Sequence, residues 1–246
     1  MRGAAPVLLV ASLLAACGAP AAGPSSGTSE RSTPDTRLSN HSVYRPELHF
    51  ADGRTQMAGV AFVLDAGDGR RFVATSGHLA RNLRKGSDLK QITLLNNQSG
   101  SADGVVSTLA GSPGATFDGL DYSTDVALLN APGLADAGSP FVPARGNARV
   151  GDEVEIVACP ADRSARDVRL RGRVEGSDGS LLRVRLDSAV DARGFAGAPI
   201  VLVQTGELAG MVQTVSGGVA LATPATAIQR FADGGGKAPI PVSDWK

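Results

Sequence analysis

The chain has 246 residues, enough for one large β domain or two smaller ones. Its 24 Lys and Arg balance 24 Asp and Glu, so it carries no field that would gather nucleic acid, and no nucleic-acid partner is expected. With 31 glycines, 14 prolines and 4% aromatic residues, the composition suits many short strands and turns and argues against a helical bundle.

Residues 1–16 read as a targeting segment. Arg2 supplies the positive start, and Pro6–Ala15 is an apolar run too short to span a bilayer. The run ends in Leu14-Ala15-Ala16-Cys17, which resembles the bacterial lipobox. That resemblance implies a lipidated Cys17 and a domain held outside the cytoplasm on a membrane of the bacterial cell envelope. Gly18 after the cysteine, where Asp is absent, is compatible with outer-membrane sorting. A plain secretory signal with a chance cysteine is the other reading. Residues 17–42, rich in Ala, Gly, Pro, Ser and Thr, read as a flexible tether. With Cys17 lipidated, Cys159 has no disulfide partner and reads as an inert core thiol at the end of a strand.

Order is expected to begin near residues 41–50. Met57–Leu64 and Arg70–Thr75 are strand-like runs around the turn cluster Asp65–Gly69, which predicts a hairpin. Ser76-Gly77-His78 then makes a tight turn. Further strands are expected at Gln91–Asn96, Gly104–Leu109 and Asp125–Asn130. Residues 131–146 form a connector with Pro132, Pro140 and Pro143. A second set of strands follows at Asp152–Ala158, Val168–Val174 and Leu181–Leu186, the last two alternating apolar with basic residues as half-exposed strands do. Ile200–Val203, Glu207–Gln213 and Gly218–Thr223 complete the set, and Pro224–Phe231 predicts a short helix. The tail at 233–246, opened by Gly234–Gly236, reads as loosely ordered.

Three blocks in this series carry chemistry. Thr75-Ser76-Gly77-His78 ends one strand, Asp125 opens another, and Gly194-Phe195-Ala196-Gly197-Ala198-Pro199 precedes an apolar strand. In this order they resemble the T-A-A-H, D-[IV]-A-L-L and G-x-S-G-x-P blocks of trypsin-like serine proteases. Val150–Val157, Gly206–Gly210 and Leu221–Pro224 resemble strands of the bacterial HtrA/Deg-like branch. The similarity spans about residues 57–231, with no PDZ-like segment between there and Lys246.

The resemblance implies an all-β fold: two six-stranded barrels of the chymotrypsin type, about 43–130 and 147–224, with a short C-terminal helix, in a peptidase domain spanning 43–232. By position it makes His78 the base, Asp125 its orienter, and the N–H groups of Gly194 and Ala196 the oxyanion hole. Position 196 belongs to the nucleophile, where the family has serine, and an alanine methyl cannot form an acyl-enzyme. Ser76 is too constrained to replace it, and Ser188 is expected on a barrel wall or pocket edge. Val190 falls at the floor of the primary specificity pocket and would favour small or aliphatic side chains. Met211, Val212, Gln213 and Thr214 correspond to the strand on which an extended peptide or protein segment would lie. Phe195 replaces the acid that zymogens pair with a new N-terminus, so activation by propeptide cleavage is not expected. His41 and His49 have no metal-ligand spacing and read as surface residues; no metal or other cofactor is expected.

The leading reading is therefore a trypsin-fold lipoprotein, inactive as written, that keeps a peptide-binding cleft. Beside it stand an active serine endopeptidase whose serine was replaced by engineering, and a purely structural lipoprotein. An open groove with preserved oxyanion N–H groups favours the first, and a collapsed loop favours the last.

Overall fold

A computed structural model describes residues 43–81, 88–97, 99–111, 114, 121–134, 139–158, 168–191, 193–234 and 238–245. Cys17 with its tether, His41 and Cys159 lie outside these residues. In chain order the elements are β1 (Val43–Phe50), β2 (Thr55–Met57), β3 (Ala61–Asp65), β4 (Arg71–Thr75), α1 (His78–Arg81) and β5 (Leu89–Asn96). Then come β6 (Ala102–Val106), β7 (Thr108–Leu109), β8 (Ala127–Asn130), β9 (Glu153–Ala158), β10 (Val168–Ser177) and β11 (Leu182–Leu186). The chain ends with β12 (Pro199–Leu202), β13 (Leu208–Ser216), β14 (Val219–Pro224), α2 (Ala225–Asp233) and β15 (Ile240–Pro241).

The protein is mostly β. Its second half closes into a six-stranded barrel, β10-β11-β14-β13-β12-β9. The first half is a nine-stranded sheet in the order β15-β7-β8-β4-β3-β1-β5-β6, with β2 added beside β1. This corrects the expectation of two six-stranded barrels, because the first is a half-barrel. Among the described residues no ladder joins β6 to β15, while β2 and β15 lengthen the sheet.

Burial explains the strand patterns. In β10 and β11 apolar side chains point into the barrel while Arg171, Arg173, Arg183 and Arg185 point out. Outside, Arg169 pairs with Glu155 and Arg185 with Glu175, an exposed ladder of charges that solubilises this wall and adds little stability. β3 and β8 lack that alternation because both of their faces are covered. Phe62, Leu64 and Leu128 join the core shared with the closed barrel, whereas Ala61, Val63 and Leu129 face the interior of the half-barrel. Phe62 meets Phe141 edge to face, with centroids 5.4 Å apart.

Two expectations change at this level. The run Met57–Leu64 is not one strand: it breaks at Ala58-Gly59-Val60, where Gly59 has φ +56°. The tail is not loose either. Ile240 and Pro241 pair with Leu109 and Thr108, and Val242 and Trp245 are buried in the interior of the half-barrel. Burial of that apolar surface offsets the entropy lost by ordering residues 238–245.

Candidate functional site

The turn after β4 sets His78 at the start of α1. Thr75 Oγ1 donates to the Val60 carbonyl at 2.7 Å, and Ser76 Oγ donates to the Val212 carbonyl at 3.3 Å. Ser76 is fully buried and engaged in that bond, so it offers no hydroxyl to a substrate. Asp125, just before β8, accepts twice from His78: its Oδ1 from the backbone N–H and its Oδ2 from ring Nδ1, both at 2.8 Å. A carboxylate only accepts, so Nδ1 carries the proton in this arrangement. Asp125 is fully buried while 17% of the His78 side chain is exposed, so solvent reaches the ring and not the acid. Gly77 leaves room for this contact, since a Cβ there would stand 3.1 Å from Asp125 Oδ1.

Two further bonds fix the pair from behind. Gln213 Nε2 donates to the Asp125 carbonyl at 2.8 Å and to Thr223 Oγ1 at 2.7 Å. Trp245 Nε1 donates to the Gly77 carbonyl at 3.1 Å, one residue before His78. The sequence reading did not find this tryptophan. Its signal was a lone aromatic near the end of a chain poor in aromatics.

The loop carrying Ala196 is a tight turn. Ala198 N–H donates to the Phe195 carbonyl at 2.9 Å, with Ala196 and Gly197 at the centre. Gly197 has φ +89°, as the third residue of a type II turn requires. A Cβ at that glycine would stand 1.9 Å from the Val60 carbonyl oxygen. The loop is pinned on both sides: Gly197 N–H donates to the Val212 carbonyl at 2.7 Å, and the Ala196 carbonyl accepts from Val60 N–H at 2.8 Å. This last bond accounts for the break between β2 and β3, because Val60 turns away from the ladder to hold the loop. Phe195 anchors it from below, with 2% of its surface exposed in the shared core.

The amides of Gly194 and Ala196 donate to no partner among the described residues. Both residues line a cleft of about 420 Å³, together with Val190, Gln213, Thr214 and Ser216. Arg193 and Asp191 form an ion pair at its rim, and the guanidinium holds the Asp191 carboxyl below the usual carboxylate range. The side chains of Met211 and Val212, expected along the pocket, are fully buried in the barrel core. Val212 contributes through its backbone: its carbonyl accepts from Gly197 N–H and Ser76 Oγ, and its N–H donates to the Ala198 carbonyl at 2.9 Å. Beyond Val212, β13 pairs only with β14 among the described residues, so Thr214–Ser216 there presents an unpaired edge beside the cleft.

Ser188 is exposed and does not line the cleft. His49 is half-buried, accepting or donating to Thr93 Oγ1 at 2.8 Å and lying 3.2 Å from Glu47, so it is a structural residue of β1. No protein-family model matches the chain, and no curated protein matches it significantly.

Proposed function

We propose that this chain is a trypsin-like, chymotrypsin-type peptidase fold that has no nucleophile and binds an extended peptide or protein segment. The observation that carries this reading is the paired state of the site around Ala196. His78 and Asp125 keep the geometry of a base and its orienter. The loop keeps the Gly194 and Ala196 amides without partners among the described residues, on residues that line the cleft. A collapsed vestige would have turned those N–H groups onto internal acceptors, since unpaired amides lose about 1–3 kcal/mol each when burial leaves them unsatisfied. Where the attacking oxygen would stand there is a methyl.

The chemistry follows from these parts. The strand edge at Thr214–Ser216 pairs with an extended backbone, and Val190 meets a small or aliphatic side chain. The amides hold a carbonyl oxygen, but no hydroxyl is present to attack it. Binding without turnover is the result. In the same proposal Cys17 carries lipid and tethers the domain to a bacterial envelope membrane through residues 17–42, which palmitate labelling of the chain and of Cys17→Ser would test.

Casein hydrolysis by the chain as it stands and by Ala196→Ser tests the central point. The account expects no turnover by the first and measurable turnover by the second. Hydrolysis by the unaltered chain would show that another nucleophile serves the site.

A further inference from the structure

The donors of the cleft point to a more specific ligand than a passing peptide. We infer that the site captures the C-terminal carboxylate of an extended peptide; this rests on the peptide-binding reading above and narrows it.

Three observations support it. First, the Gly194 and Ala196 amides are two donors without partners among the described residues, and both residues line the cleft. Neighbouring main-chain N–H groups of this kind favour an anion, and hydrogen bonds to a charged oxygen are about twice as strong as those to a neutral carbonyl. Second, Ala196 removes the one oxygen that would compete for the space beside those donors. A carboxylate has two oxygens: one suits the amide pair, and the second occupies the room a hydroxyl would fill. A peptide that continues past the site brings an uncharged N–H in place of that second oxygen. Third, the charge balance of the wall tolerates an anion. Asp191, the only acidic residue among those described along the cleft, is neutralised by Arg193. The ligand is thus a peptide whose last residues extend along Thr214–Ser216, whose final side chain faces Val190, and whose terminal carboxylate meets the amides.

The test uses the immobilised full chain and two libraries of short peptides with randomised C-terminal residues, one ending in a carboxylate and its twin in a carboxamide. Retention of the acid library about tenfold or more above its amide twin is expected from charge-assisted bonding. Ser216→Asp, an exposed substitution on the cleft wall, should remove most of that preference. A preference that survives Ser216→Asp places the binding elsewhere on the surface and overturns the inference. Equal retention of the two libraries also overturns it but leaves the peptide-binding cleft standing. Retention of neither overturns both.

Discussion

At the scale of single residues, Gly197 is the most constrained position. Its φ of +89° and the 1.9 Å that would separate a Cβ from the Val60 carbonyl leave no conformation for a side chain. Gly197→Ala is expected to destabilise the protein by more than about 2 kcal/mol, read from urea unfolding, and to disorder the loop. An unchanged midpoint would mean that the turn is not held as described. Tyr44 offers a pH test. Burial first, and the Asp103 charge second, push its phenol up to about 12. Because the folded state holds this proton more tightly, the stability it contributes is whole below pH 10 and is lost as pH rises through about 12. Tyr44→Phe should flatten that alkaline decline.

The element scale shows what was legible in the chain and what was not. The blocks around His78, Asp125 and Ala196 were readable because each couples a chemical residue to a turn or strand boundary that local sequence dictates. β1 escaped the reading: Pro46 and the charged Arg45, Glu47 and His49 hid the alternation by which Tyr44, Leu48 and Phe50 face inward. The break at Ala58-Gly59-Val60 escaped as well, since its cause is a bond to Ala196, far away in sequence. The tail was misread for the same reason. Its glycines announce a loose approach, whereas the burial of Val242 and Trp245 is decided by the half-barrel they enter. Trp245→Phe keeps a smaller aromatic ring and loses the bond to Gly77, so a loss of about 1 kcal/mol or more in urea unfolding is expected. Trp245→Ala should lose about 3–5 kcal/mol by emptying the core. No loss of stability in Trp245→Phe would show that the indole N–H contributes nothing beyond packing.

At the scale of the molecule, the site is divided between the two sheets. His78 and Asp125 belong to the half-barrel, while Ala196 and Gln213 belong to the closed barrel. Val60 N–H to Ala196, Ser76 to Val212 and Gln213 to Asp125 cross that boundary and fix the halves against each other. Under the proposed function, these cross-links would have to be made together to hold a base and an oxyanion site in register, with no sliding between the sheets. The account's central claim is that this register survives with one oxygen missing. Fluorophosphonate labelling of Ala196→Ser, beside the double variant Ala196→Ser with Asp125→Asn, measures it most directly. The account predicts labelling of the single variant at residue 196 and a fall of roughly four orders of magnitude in rate when Asp125 no longer sets the tautomer of His78. Failure of the folded Ala196→Ser protein to label would contradict it, because the missing oxygen would then not be all that the site lacks.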